Sequence, residues 1–231
     1  MFRRDHHVRI ATVLQALDGD LLARHQCWFG GGTAIVLLRN EYRESVDIDF
    51  LVSDLAGYRS LRLMLTGQQG LLAICRPGLR LTAVAGMQAD QYGIRTMLRV
   101  SDVEIKLEIV NEGRMQFETP SADNRICGVS VLTPLDLAAS KLLANSDRWS
   151  DGAVFSRDII DLAMLDLPRP ELNRAVEKAK VAYGDSIERD LAKSIQALVD
   201  QKGRLEECMS AMKMDDVPKA LLWKRIRNLH P

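Results

Sequence analysis

The chain has 231 residues, 47% hydrophobic and 27% charged, the make-up of a globular protein long enough for one large domain or two small ones. The 31 Lys and Arg balance 31 Asp and Glu, so bulk charge points to neither nucleic acid nor membrane, although local basic patches stay open. Cys27, Cys75, Cys127 and Cys208 lie far apart with no C-x-x-C pair and read as reduced thiols of a cytosolic protein, not a disulfide frame or zinc site. No apolar run reaches the roughly 18 residues of a membrane helix, and the N-terminal MFRRDHHVRI lacks a signal-peptide core.

In chain order, residues 5–24 read as one helix, because Val8, Ile10, Val13, Leu14, Leu17 and Leu21 recur near helical spacing. His6 and His7 fall in its first turn. With no third ligand nearby, they read as a solvated helix start and not a metal site. Cys27 to Phe29 is a short strand-like run that leads into Gly30, Gly31 and Gly32. Ala34 to Leu38 begins a helix. Asn40 to Glu44 is a polar link to a strand over Val46 to Val52. Ser53-Asp54 caps a helix over Leu55 to Leu65. Gly67 to Gly70 is a turn, Leu71 to Ile74 a strand, and Leu79 to Ala85 an extended stretch.

Two longer strands follow, Tyr92 to Val100 and Val103 to Val110. The short Ser101-Asp102 turn between them makes an antiparallel hairpin. A last strand is expected near Ile126 to Val131. From Thr133 the period becomes helical, with Thr133 as N-cap and Pro134 at the first helical position. Helices are expected over 134–145, 155–165, 171–183, 186–201, 204–212 and 217–228, with a domain boundary near 131: residues 1–131 and 132–231. The fold class is α+β, a mixed sheet with flanking helices followed by an all-helical part.

The chemistry concentrates between Phe29 and Val52. Glycines let backbone approach a phosphate closely, since they carry no side chain and reach positive φ. The helix that follows offers free N–H groups to an anion. Asp47 and Asp49 alternate with Val46, Ile48 and Phe50, which puts both carboxylates on one face of a strand. Two such carboxylates suit Mg²⁺, which commonly bridges carboxylates and a substrate phosphate. On the hairpin strand VEIKLEIV, Glu104, Lys106 and Glu108 share the face opposite Val103, Ile105, Leu107 and Ile109. That face is either a solvated charged edge or the source of a third carboxylate, from Glu108 or Glu104, that accepts a hydroxyl proton. Arg76, Arg80, Arg95 and Arg99 read as a basic track for RNA or as a solvated arginine face.

FGGGTAIVLL (29–38), RESVDIDFLV (43–52), VEIKLEIV (103–110) and TPLDLAASKLLANSDRWSDGAVFSRDIIDLAML (133–165) together resemble the AbiEii/AbiGii toxin family. Its members are nucleotidyltransferases of the DNA polymerase beta-like superfamily. The resemblance implies that Gly31, Gly32 and Thr33 hold a triphosphate and that Ser45 bonds a phosphate oxygen or orients the strand. It implies that Asp47, Asp49 and Glu108 form the Mg²⁺ and catalytic set, in a one- or two-ion site, with Lys106 beside Glu108 on the nucleotide. It implies that Lys141 reaches the triphosphate and that Arg157, Asp158 and Asp161 match an R-D-x-x-D helix at the nucleotide. The implied reaction moves NMP from an NTP to an acceptor hydroxyl, on tRNA or another RNA, in the cytoplasm. The protein would then be a toxin with a cognate antitoxin. Alternatives are a protein or aminoglycoside-like acceptor, or a non-catalytic binding subunit of the same fold.

Overall fold

The apolar alternation of the central strands builds a six-stranded mixed sheet, ordered β1 (Cys27–Gly30), β2 (Ile48–Val52), β6 (Val103–Asn111), β5 (Gly93–Val100) and β3 (Thr82–Ala83), with β4 (Gln88–Ala89) also on β5. The computed structural model describes residues 2–230, which divide into two compact units. The first takes the chain up to Leu37 and then Ser45–Thr133. The second takes Leu38–Glu44 and everything from Pro134 on.

In the first unit, α1 spans Asp5–Ala16 and α2 Gly19–Arg24. The single helix expected over 5–24 is therefore broken. Leu17 leaves helical geometry to bridge Cys75, and the Asp18 carboxylate accepts from the N–H of Asp20 and Leu21 at 3.1 and 2.9 Å, starting α2 afresh. Next come β1 (Cys27–Gly30), α3 (Gly31–Leu38), β2 (Ile48–Val52) and α4 (Leu55–Thr66). The Asp54 carboxylate caps α4 through the Gly57 N–H at 2.7 Å. Leu71 to Ile74 is not a strand but part of a 3-10 turn over Gly70–Ile74, entered by Gly70 at φ +52°. A four-residue apolar run carries no period that separates the two. Short β3 (Thr82–Ala83) and β4 (Gln88–Ala89) precede the hairpin of β5 (Gly93–Val100) and β6 (Val103–Asn111). The last expected strand is instead a small separate hairpin, β7 (Arg125–Ile126) and β8 (Val129–Ser130), turned by Cys127 and Gly128 at φ +51° and +86°.

β2 pairs parallel with β6 while β1–β2 and β5–β6 are antiparallel. Period two sends Ile48, Phe50, Ile105, Leu107, Ile109, Ile94 and Leu98 into the core, all at most 3% exposed. Phe29 and Phe50, Cα partners across β1–β2, meet with ring centroids 5.6 Å apart. Each such buried aromatic contributes about 1.5–3 kcal/mol. The first two α-helices of the second unit, α5 (Pro134–Arg148) and α6 (Arg157–Leu165), pack on each other. α7 (Arg169–Tyr183), α8 (Ser186–Asp200), α9 (Arg204–Ala211) and α10 (Lys219–Asn228) complete it. Among the described residues no helix is long and apolar enough to cross a membrane.

Candidate functional site

Asp49 stands in a row of Cα partners that crosses four strands: Gly30 on β1, Asp49 on β2, Glu108 on β6 and Arg95 on β5. Partners in register share a face of the sheet, so the carboxylates of Asp49 and Glu108 are neighbours by construction. Gly31 turns the chain from β1 into α3 at φ +66°. A Cβ placed there would lie 2.4 Å from Asp49 Oδ2. Any side chain at 31 would therefore clash with the carboxylate, besides straining the backbone. The second aspartate of the pair thus lies directly against the first residue of the glycine-led helix.

The segment that carries Asp47 is fixed by side chains from α1 and α3. The Thr33 hydroxyl donates to the Asp47 carbonyl at 2.5 Å and lies 2.8 Å from the Ser45 hydroxyl. Thr33 is 1% exposed, so it ties helix to strand from the inside. The Ser45 N–H donates to His7 Nε2 at 3.1 Å, and His6 Nε2 donates to the Val46 carbonyl at 3.0 Å. Here the expectation of a solvated His pair fails, because His7 is fully buried. The legible signal was position: His7 shares a helical face with Ile10 and Leu14, both buried. Accepting from Ser45 requires that nitrogen to be unprotonated.

Glu108 is matched by cations. Arg95 Nε donates to it at 2.6 Å, and Lys106 reaches its other oxygen. Burial pushes its pKa up, but the hydrogen bonds and charges of Lys106 and Arg95 outweigh burial and hold it below the ordinary carboxylate range. Glu104 pairs with Arg99 at 2.8 Å near the hairpin end, with both side chains about half exposed. Arg76 Nε donates to the Leu17 carbonyl at 2.9 Å. The basic track is thus broken up: Arg95 and Arg99 are neutralised across the strand pair and Arg76 braces a turn.

No three His, Cys, Asp or Glu side chains among the described residues gather into a cation cage. Mg²⁺ does not need one. It keeps several waters and takes one or two protein carboxylates with substrate phosphates. Asp47 and Asp49 are both partly exposed. The Asp49 carboxylate lies beside the start of α3 and Asp47, two residues earlier, is a second hard oxygen donor, so the residues present fit the ion.

The second unit holds a different constellation. Lys141 on α5 is 6% exposed, and its Nζ lies 2.9 Å from Asp158 Oδ1 and 2.7 Å from Asp161 Oδ2, both on α6. Arg148, two turns beyond Lys141, grips Asp158 from Nε and Nη2 at 2.6 and 2.9 Å. Arg43 grips Asp161 from Nε and Nη2 at 2.7 and 2.9 Å, and the Tyr42 hydroxyl donates to the same carboxylate at 2.5 Å. Burial pushes both aspartate pKa values up, yet these cations overcome it and hold both well below the usual range. The network counts three cations against two carboxylates and so keeps one positive charge. Arg157, half-buried, heads α6 outside it.

Tyr42, Arg43 and Arg148 escape sequence reasoning. Tyr42 and Arg43 lie in what reads as a polar link, yet they are 3% and 5% exposed. Their anchorage holds Asn40 and Glu41 in consecutive left-handed conformations, φ +58° and +55°, each costing about 1–3 kcal/mol. The Glu44 N–H donates to the Met212 carbonyl at 3.0 Å, fixing the other end of the segment in the same unit.

A family model described as the nucleotidyl transferase AbiEii toxin of a type IV toxin–antitoxin system matches residues 13–228. A crystal structure of a candidate nucleotidyltransferase from H. pylori aligns over 98% of this chain and 93% of its own, at TM-score 0.51 and 18% identity, which shows a shared fold. The Helicobacter pylori protein JHP933 aligns over 100% of this chain and 94% of its own, at TM-score 0.49 and 20% identity. No curated protein matches significantly.

Proposed function

This chain belongs to the AbiEii family of nucleotidyltransferase toxins of type IV toxin–antitoxin systems, and on that premise we propose that it moves NMP from an NTP to a hydroxyl of RNA, with tRNA the favoured acceptor. The observation that carries this reading is the approach of Asp49 Oδ2 to Gly31, which sets a carboxylate against the helix start where phosphate would be held. In this reading the unit built on the sheet is the catalytic domain and the helical unit supports it. The enzyme works in the cytoplasm opposite a cognate antitoxin. A toxin's acceptor has to be something growth depends on, and an RNA end presents free hydroxyls of that kind.

Asp47 and Asp49 would hold Mg²⁺, which when bound neutralises charge on the triphosphate and on the leaving pyrophosphate. The backbone N–H groups of Gly31 and Gly32 bind phosphate oxygens. Thr33, Ser45 and His7 fix the backbone that aims the two aspartates. Glu108, kept ionised by Arg95 and Lys106, faces the acceptor hydroxyl and takes its proton as the oxygen attacks the α-phosphorus. The bond to the β-phosphate oxygen breaks in line and pyrophosphate leaves. A carboxylate with a depressed pKa is a weak base, so most of the acceleration comes from positioning and charge neutralisation. Lys141 on α5, with Arg157, Asp158 and Asp161 on α6, keeps the phosphate-binding role that the family resemblance implies, and the network there carries net positive charge. Supplying each α-labelled NTP with total RNA tests the reading. Label in RNA is expected, whereas label confined to protein or to an added aminoglycoside would replace the acceptor.

A further inference from the structure

α10 reads KALLWKRIRN, with four basic residues and no acidic one, in a protein of zero net charge. Helical spacing turns Leu222 and Ile226 into the core of the second unit, both fully buried. The opposite face presents Lys219, Ala220, Trp223, Lys224, Arg227 and Asn228, which line a shallow groove of about 450 Å³. Lys219 is paired with Glu206, and Arg225, on the flank, with Asp166 at 2.6 Å. Lys224 and Arg227 form no ion pair with a carboxylate among the described residues, and neither does Arg169. The Arg169 Nη1 instead donates to the carbonyls of Asn228 and His230 at 3.2 and 2.7 Å. That bond brings a third cation to the C-terminal end of the same helix. The guanidinium carbon of Arg227 lies 5.6 Å from the ring centroid of Trp223. A partly exposed indole thus stands beside Lys224 and Arg227, with Arg169 at the end of the same helix, and among the described residues no carboxylate forms an ion pair with any of the three.

We propose that this face of α10 docks a single-stranded stretch of the acceptor RNA, with a base stacked on Trp223 and phosphates bound by Lys224, Arg227 and Arg169. Aromatic platforms flanked by cations bind single strands irrespective of sequence, because every base has a π-face and every linkage a charge. An acidic peptide would satisfy the cations but brings a ring only where it happens to carry an aromatic residue, whereas every nucleotide brings both a ring and a charge. The assignment rests on the reading of the enzyme as an RNA nucleotidyltransferase and adds to it a docking surface outside the carboxylate and Lys141 clusters.

The test uses the full chain, a fluorescent single-stranded oligoribonucleotide, the duplex of the same sequence, and total tRNA. Trp223→Ala should weaken single-strand binding about tenfold, as the loss of one stacked base does. Trp223→Tyr should restore most of it. Lys224→Gln with Arg227→Gln should lower the slope of log affinity against log salt by about 0.7 for each phosphate no longer neutralised. NTP binding and thermal unfolding should stay at the native values in all three. If the native protein binds and labels RNA but the variants match it, the surface is overturned and the RNA reading stands. If the native protein neither binds nor labels any RNA, the RNA reading fails first and takes this surface with it. Variants that keep RNA affinity but lose a protein antitoxin would also overturn the proposal, assigning the face to that partner.

Discussion

The two charged constellations of this molecule are built on opposite physical terms. On the sheet, Asp49, Glu108 and Arg95 line up in register on a face that solvent reaches, and Glu108 keeps its charge through cross-strand hydrogen bonds. In the helical unit, Asp158 and Asp161 are 3% and 0% exposed and survive as carboxylates only because Lys141, Arg148 and Arg43 surround them. The first arrangement tolerates loss of a member, since water can replace it. The second does not, because a stranded buried charge has nothing to solvate it. Function is therefore expected to be separable from stability in the sheet and tied to it in the helices.

The largest effect that breaks this contrast in stability is Arg43→Ala. It should destabilise the helical unit by about 3–5 kcal/mol, the usual cost of removing one partner from a buried pair. Urea unfolding followed by helical circular dichroism reads it, and a loss below about 1 kcal/mol would mean that water enters the network. Acid sharpens the same point. Asp158 and Asp161 have folded pKa values below the unfolded value of about 3.9. The unfolded chain therefore binds protons first as pH falls. Their stabilisation is present above about pH 4 and disappears as pH drops through the depressed folded values. A pH series of thermal midpoints should fall steeply below pH 4 in the native protein, and less steeply in Asp161→Asn, whose starting stability is already lower. Glu108→Gln should leave unfolding within about 1 kcal/mol, the scale of a partly exposed ion pair. It should nonetheless slow turnover about a hundredfold if the carboxylate takes the proton. The smallest effect is expected from Arg99→Ala, whose exposed partner Glu104 makes the pair worth about 0–1 kcal/mol and whose place at the hairpin end leaves turnover unchanged.

How much of this was legible differs between the two regions for the same physical reason. Strand alternation announced the face shared by Glu104, Lys106 and Glu108 because it is local and periodic, whereas Asp47, expected on one strand with Asp49, lies just ahead of β2, which starts at Ile48. The hairpin and the run of C-terminal helices were likewise visible in period and punctuation. The bonds that aim the aspartates were not, since His7 is 38 residues from Ser45. Nor was the burial of Tyr42 and Arg43, whose partner Asp161 lies 118 residues beyond Arg43. A polar pentapeptide looks like a solvated link until its distant carboxylate is known. The break at Leu17 was hidden in the same way, since a long-range bridge to Cys75 overrides helical spacing.

If Asp47 and Asp49 carry the transfer as proposed, the fold should stand without their charge. That role is tested most directly by incubating native protein and the Asp47→Ala/Asp49→Ala variant with α-labelled NTPs, Mg²⁺ and RNA, and following label into the RNA ends. The native protein should label RNA. The variant, folded to within a few degrees of the native thermal midpoint, should do so at least about a hundredfold more slowly, since even groups that only support a metal ligand cost up to that much. Equal labelling by the folded variant would mean that neither aspartate carries the transfer.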